Sequence, residues 1–323
     1  MKIRRIGVLT SGGDAPGMNA AVRAVVRASA YHGIQCLGIR RGYNGLINGD
    51  VQALSATDVN GITSRGGTML YTARCPEFMT EAGMQKALDT CKYLGLGGVV
   101  CIGGDGTYRG ALDLSRLGVP TIGIPATIDN DIGSTNYSIG FDTACNTAID
   151  CIDRLRDTMQ SHERCSVVEV MGRHAGHLAV YVGIACGASA IIVPEREFNF
   201  EEDLVEKIRK ARIAGRTHFI VIVAEGAVRA TDVARQLKDE LAVDPRVTIL
   251  GHIQRGGSPS ARDRVTASRM GIYAVEALRQ EKINRVVSII DGNMQDFDIE
   301  EALNMKRGLQ ESMYNAALTL TQG

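Results

Sequence analysis

Three short stretches of this sequence set glycines beside carboxylates, a combination suited to phosphate chemistry. The first is Ser11-Gly12-Gly13-Asp14-Ala15-Pro16-Gly17. A glycine turn that opens a helix lets backbone N–H groups approach a phosphate at the positive helix end. The Gly12-to-Gly17 spacing imitates a Walker A loop. Met18-Asn19 stands where that loop requires Lys followed by Ser or Thr, so it is not a P-loop. A bare structural turn is the competing reading. The second stretch is Gly103-Gly104-Asp105-Gly106-Thr107. A carboxylate beside phosphates repels them unless a cation lies between, and Mg2+ shared by Asp105 and phosphate oxygens resolves the conflict. An Asp that merely caps the next helix is the alternative. The third is Thr127-Ile128-Asp129-Asn130-Asp131. If extended, it puts Thr127, Asp129 and Asp131 on one side, where two carboxylates can divide proton abstraction from metal or water binding. An Asx-rich turn is equally compatible with Asn-Asp.

A cationic set accompanies them: Arg74, Arg164, Arg173, Arg246, His252 and Arg255. Each falls at a predicted strand end or in a glycine-bearing loop. Arg is the natural bidentate partner of phosphate, although a single one is commonly a solvated surface residue. Their convergence on one cleft would mean two phosphorylated ligands, a nucleotide and a sugar phosphate. His174 and His177 have no third ligand nearby and read as ordinary histidines; Met171 reads by default as core.

The elements that must carry these residues alternate. Apolar runs at 6–10, 36–39, 98–102, 120–124, 166–171, 190–193, 219–224, 247–250 and 285–290 read as strands. Helical patterns follow residue 17, residue 106 and the 166–171 strand, and cover 144–159, 201–214 and 263–280. Such alternation implies α/β architecture with mainly parallel sheets and right-handed crossovers. Two sets of these units imply two doubly wound three-layer α/β/α domains with a cleft between them. Ligands of open parallel sheets bind beyond the carboxyl ends of the strands, where most of these clusters fall.

Composition narrows the class. The chain has 323 residues with 36 basic and 36 acidic side chains, so nucleic acid and anionic membranes are not expected partners. Its 45% hydrophobic and 22% charged content excludes disorder. Glycine, at 37 residues, is high, while proline is only 7, which points to tight turns within folded structure. The eight cysteines have no CxxC and no zinc spacing, a pattern that fits a reducing cytosol. No apolar stretch of signal-peptide length opens the chain, and the apolar run at 178–193 reads as a buried helix followed by a strand.

Taken in order, five motifs resemble the bacterial ATP-dependent 6-phosphofructokinases. They are Leu9 through Ala21, Ile102-Gly103-Gly104-Asp105-Gly106, Thr127 through Asp131, Glu169-Val170-Met171-Gly172-Arg173, and Leu250-Gly251-His252-Ile253-Gln254-Arg255-Gly256-Gly257. The match runs from residue 7 to about residue 307. Gly-Gly-Asp-Gly alone also occurs in NAD kinases and lipid kinases; the five in register are specific. The resemblance implies a larger ATP-binding domain of 1–140 plus about 254–305. A smaller sugar-phosphate domain would take 141–253 plus about 306–323.

The resemblance also implies roles. Asp129 is the base for the 1-hydroxyl of fructose 6-phosphate, supported by Thr127 and Asp131, and Asp105 holds Mg2+. Gly13, Arg74, Gly104, Gly106 and Thr107 lie along the ATP, with Tyr43 and Cys75 near its nucleoside. Arg173 neutralises charge on the transferring phosphoryl group. Met171, Gly172, Glu225, Arg164, Arg246, His252 and Arg255 hold the sugar phosphate. Arg164 and Arg246 reach a neighbouring subunit's site, which implies a cytoplasmic homotetramer. Arg23, Arg27, Arg156, Arg216 and His218 match an effector cluster for ADP or phosphoenolpyruvate.

Departures accompany the match. Ala126 and Met79 replace the usual Gly and Arg near the nucleotide. Ser55, Ser189 and Thr217 replace charged residues of the effector site, which implies blunted or altered regulation. A pyrophosphate-dependent relative would carry Lys at 126 and Asp at 106. An NAD kinase has no need of His252 through Arg255. A dinucleotide oxidoreductase would need G-x-G-x-x-G, which does not occur. A non-catalytic nucleotide-binding regulator would be expected to lose Asp105, Asp129 and Asp131, all present here.

Overall fold

Each of the nine apolar runs forms a strand within one residue of its predicted bounds. The computed structural model describes residues 3–241 and 243–321. The strands are β1 (Arg5–Thr10), β2 (Gln35–Ile39), β3 (Val51–Leu54), β4 (Val99–Gly103), β5 (Thr121–Pro125), β6 (Cys165–Val170), β7 (Ala190–Ile192), β8 (Phe219–Ala224), β9 (Arg246–Ile249), β10 (Arg285–Ile290) and β11 (Asn293–Asp298). One sheet has the order β11-β10-β5-β4-β1-β2-β3, the other β7-β8-β6-β9. All pairings are parallel except β2–β3 and β10–β11 at the two edges of the larger sheet.

Those two edge strands were not legible as strands. Val51–Leu54 is only four residues long and Asn293–Asp298 mixes polar with apolar residues, and both are largely solvent-accessible, because an edge strand need not be apolar on both faces. Central strands show the opposite character: Val99, Val100, Cys101 and Ile102 of β4 are wholly buried. The 201–214 segment begins as a π turn over Glu201–Val205 before the helix Glu206–Ile213. Residues 178–193 are the expected helix, His177–Ala185, followed by β7. No helix of the described residues is long and apolar enough to cross a membrane.

The chain divides into two compact units. The first takes the chain up to Thr127, with Ile132–Thr143 and Arg255–Arg307. The second takes Ile128–Asp131, Ala144–Gln254 and the chain from Gly308 onward. This differs from a break near residue 140 in one respect that matters: Asp129 and Asp131 group with the second unit, Thr127 with the first.

Within the first unit, one buried carboxylate ties two segments together. Asp263, fully buried, lies in the first turn of the helix Ala261–Arg279, whose N-cap Ser260 accepts from its N–H. Its Oδ1 accepts from the Tyr137 hydroxyl at 2.6 Å and the Gly140 N–H at 2.7 Å. Its Oδ2 accepts from the Thr143 N–H at 2.9 Å and the Thr143 hydroxyl at 2.5 Å. Burial raises the carboxyl pKa above the ordinary aspartate range, against the opposite pull of these hydrogen bonds. The helix N-terminus adds favourable potential. Replacing Asp263 by Ala strands four donors in the interior and is expected to cost about 2–4 kcal/mol. Urea unfolding against the unaltered chain measures this; a loss below about 0.5 kcal/mol would show that the joint is held by other groups.

Candidate active site

The strand order of the larger sheet reverses between β1 and β4. From β1 the chain continues to β2 on one side; from β4 it continues to β5 on the other. Crossovers on either side of such a reversal leave a crevice at the carboxyl ends of the two strands. Both glycine loops open there.

The first loop leaves β1 at Thr10 and reaches the helix Met18–Tyr31 through Gly12 at φ 85° and Gly17 at φ 107°. A Cβ on Gly17 would lie 2.6 Å from Ile139 Cγ2, so conformation and packing both demand glycine. No side chain caps this helix, which leaves its first N–H groups directed at the crevice. The second loop leaves β4 at Gly103, and Gly104 is the N-cap of the helix Asp105–Arg116, again without a side-chain cap. Asp105 is therefore the first helical residue and not the cap. It is exposed, as is Gly106, where an added Cβ would meet nothing within 4 Å. Thr107 joins the two loops, its buried hydroxyl donating to the Ser11 carbonyl at 3.0 Å.

Thr127 follows β5, the neighbour of β4. Its Cβ would lie 3.8 Å from a Cβ on Gly104. The Ala126 N–H donates to the Gly103 carbonyl and the Ser138 hydroxyl to the Thr127 carbonyl at 2.7 Å. Beyond it the chain does not stay extended. Ile128 and Asp129 form a turn, and Asn130 is left-handed at φ 53°. The alternating placement of Thr127, Asp129 and Asp131 thus gives way to the Asx-type turn, because Ile128 is drawn fully into the interior and Asn tolerates positive φ. Asp129 is buried and Asp131 half-buried.

Four more expected nucleotide or substrate residues lie in this unit: Tyr43, Arg74, Cys75 and Arg255. The Tyr43 ring is 5% exposed, stacked on Phe78 at 4.3 Å, and its hydroxyl donates to the Thr107 carbonyl at 2.6 Å. It braces the second glycine loop from below. Arg255 lies against the first loop: its guanidinium donates to the Asp14 carbonyl at 3.2 Å, and its Cζ would be 3.0 Å from a Cβ on Gly13. Arg74 is exposed and Cys75 half-buried at the head of the turn Pro76–Met79, where Met79 is open to solvent.

In the second unit, β6, β8 and β9 bring Met171, Gly172, Arg173, Glu225 and His252 to one end of the smaller sheet. Arg173 is left-handed at φ 57° and exposed. The Glu225 carboxylate holds that conformation by accepting the Arg173 N–H at 2.7 Å and the Gly172 N–H at 3.3 Å. Buried Gln254, whose role no local pattern signals, accepts the Met171 N–H at 2.8 Å and fixes the adjacent residue. His252 is exposed in the turn Gly251–Arg255. Arg164 and Arg246 do not join them. Both lie at the amino ends of β6 and β9, where Ser166 pairs with Arg246, about one strand length away. Arg246 is exposed and paired with Asp244 at 2.7 Å.

The effector candidates are split between the units. Arg23 and Arg27 share the helix Met18–Tyr31, with Arg27 donating to Asn60 at 3.4 Å. Ser55 hydrogen-bonds Asp58 at 2.5 Å, which lowers that carboxyl's pKa. In the second unit Arg156 donates to the Cys186 carbonyl, and Arg216 and His218 are half-buried before β8. Ser189 is buried, and its hydroxyl accepts the Ile220 N–H at 3.3 Å. Among the described residues no group of three or more His, Cys, Asp or Glu is placed to hold a metal ion by itself. Asp105, exposed beside the open Gly106, fits an ion whose other ligands are phosphate oxygens and water.

A family model described as phosphofructokinase matches residues 5–278. Curated relatives named ATP-dependent 6-phosphofructokinase include one from Clostridium botulinum, 51% identical over 99% of this chain and 100% of its own length. Another, from Bacillus pumilus, is 50% identical over the same shares. Among solved structures, phosphofructokinase from Saccharomyces cerevisiae superposes with a TM-score of 0.90 at 34% identity. It covers 98% of this chain, which in turn spans 48% of the yeast chain. A pyrophosphate-dependent phosphofructokinase from Marinobacter aquaeolei gives a TM-score of 0.86 at 22% identity, over 99% of this chain and 92% of its own. That last likeness is one of fold alone. Matched by the family model over most of its length, and half identical to full-length relatives, the chain belongs to the phosphofructokinase family.

Proposed function

We infer that this chain transfers the terminal phosphoryl group of ATP to the 1-hydroxyl of fructose 6-phosphate, giving ADP and fructose 1,6-bisphosphate in glycolysis. The observation that carries the reading is the pair of uncapped glycine loops at the β1–β4 reversal, with Asp105 in one and Thr127 just beyond the next strand, in a chain half identical to enzymes of that name.

In this reading the N–H groups around Gly13, Gly104 and Gly106 receive the phosphate oxygens, and Arg74 adds charge. Mg2+ at Asp105 would neutralise the triphosphate so that an anionic donor can be attacked. Asp129 takes the proton as the 1-hydroxyl oxygen bonds to the terminal phosphorus and the bridging oxygen leaves with ADP. Its burial removes competing water from the carboxylate. Thr127 and Asp131 orient it. Arg173, its backbone locked by Glu225, offsets charge on the transferring group, and Met171, Glu225 and His252 receive the sugar phosphate. Such a reaction depends on positioning and charge compensation more than on covalent chemistry. Arg164 and Arg246, at the far end of their sheet, serve a neighbouring subunit in a cytoplasmic homotetramer.

ATP is favoured over pyrophosphate because Gly106 leaves the second loop open and Ala126 adds one methyl where a cationic side chain would obstruct a nucleotide. The effector response is weak, since Ser55 and Ser189 are engaged by their own surroundings and bring no charge.

Three measurements test this. A coupled assay with fructose 6-phosphate should show turnover with ATP and little with pyrophosphate; the reverse preference overturns the donor. Asp129→Ser should lose about two to four orders of magnitude in kcat while still binding fructose 6-phosphate. Near-normal turnover would remove Asp129 from its role. Titrating ADP and phosphoenolpyruvate at subsaturating fructose 6-phosphate should change the rate little. Strong effects of both would show a working effector site.

A further inference from the structure

We propose that Gln254 is a positioning residue of the sugar-phosphate subsite: its buried amide sets the loop that carries Met171, Gly172 and Arg173 against the turn that carries His252. The inference deepens the reading above and rests on fructose 6-phosphate being the acceptor.

The backbone ladder of the smaller sheet runs out at the end of β6. On one side the Glu225 N–H donates to the Val170 carbonyl at 2.9 Å; on the other the Leu250 N–H donates to the Glu169 carbonyl at 3.1 Å. The next three N–H groups of the chain are taken by side chains. Glu225, just past β8, accepts those of Gly172 and Arg173 at 3.3 and 2.7 Å. Gln254, in the turn after β9, accepts that of Met171 at 2.8 Å. Each strand that flanks β6 thus contributes one side chain to hold the loop beyond it. Glu225 fixes the direction of Arg173, and Gln254 fixes where Met171 begins.

Gln254 is wholly buried, and because the Met171 N–H is a donor, it is the oxygen end of the amide that faces β6. The amide nitrogen, also buried, has no partner among the described residues. A buried donor left unpaired is costly, and native folds carry few. The alternatives show what this one retains. Methionine has the same length and no donor to strand, but it would leave the Met171 N–H without its acceptor. Glutamate would accept, but it would bring a second carboxylate to a loop already held by Glu225, in a subsite for an anionic sugar phosphate. Glutamine is long, neutral and an acceptor. The bond also joins groups that one ligand must reach together. Met171 leaves β6, and Gln254 shares the turn Gly251–Arg255 with His252. Without it, these two acceptor groups lose their fixed spacing, while the glycine loops that receive the donor stand on the larger sheet and keep theirs.

Steady-state turnover and hydrogen exchange of Gln254→Met and Gln254→Glu test the assignment. Gln254→Met should raise KM for fructose 6-phosphate about tenfold, the effect of one lost hydrogen bond. KM for ATP should stay within about twofold and kcat within about threefold, because Glu225 still holds Arg173. Exchange at residues 171–173, followed by mass spectrometry on the ligand-free chain, should quicken in Gln254→Met and stay slow in Gln254→Glu, which keeps the acceptor. If the methionine variant does not fold, Gln254→Asn, whose amide falls one methylene short, should show the same split. An equal rise in both KM values, a KM for fructose 6-phosphate within about twofold of the unaltered chain, or exchange that does not quicken overturns the proposal and leaves the phosphoryl-transfer reading intact. Failure of the unaltered chain to phosphorylate fructose 6-phosphate overturns that reading, and this proposal with it.

Discussion

A parallel sheet sends every connection back over a face, and where strand order reverses, neighbouring connections depart to opposite faces. Here that reversal falls between β1 and β4. The consequence is geometric before it is chemical. Two helix N-termini open side by side, and the crevice they leave has backbone N–H groups for walls. Thr107 binds one loop to the other through the Ser11 carbonyl, and Tyr43 supports Thr107 from the core. Every phosphate contact inferred for the first unit depends on that pairing of loops.

The carboxylates divide by environment. Asp263 is sealed inside with four donors, and its task is to hold the segment that carries Tyr137, Gly140 and Thr143. Through the Ser138 hydroxyl and the Ile139 N–H, that same segment grips β5 and its extension at Pro125 and Thr127. Asp105, by contrast, is exposed at a helix start. A buried acid with this many partners is an architectural joint; an exposed one among glycines is where the proposed Mg2+ would sit. Glu225 stands between these cases, since its carboxylate fixes the backbone of Arg173 from an exposed position.

Left-handed backbone occurs beside the candidate clusters as well as in turns away from them, at Glu163, Glu281, Asn284 and Asp291. Of the non-glycine residues with positive φ, Arg41, Tyr71, Asn130 and Arg173 all follow or adjoin strand ends of the two candidate clusters. Each is held by specific hydrogen bonds or packing, Arg173 by Glu225 and Tyr71 by Thr10. Such positions fix a side chain's direction without waiting for a ligand to impose it.

The linear order of residues already determined much of this protein. Continuous apolar runs marked the interior strands, because a strand covered on both faces has no polar side to confuse the pattern. The clustering of Gly, Asp and Arg after those runs marked the end of each sheet at which ligands are inferred. Edge strands β3 and β11 escaped notice, since their half-solvated residues carry no such run. Tertiary structure alone decided the rest. It turned Ile128 inward and ended the alternation expected for Thr127, Asp129 and Asp131. It buried Tyr43 behind Phe78, laid Arg255 on Asp14, put Arg164 and Arg246 at the opposite strand ends, and brought Tyr71 under Arg41 beside Gly12. Local pattern extends over a turn or two of chain, whereas these placements depend on contacts between segments tens to hundreds of residues apart, which only the packed fold creates.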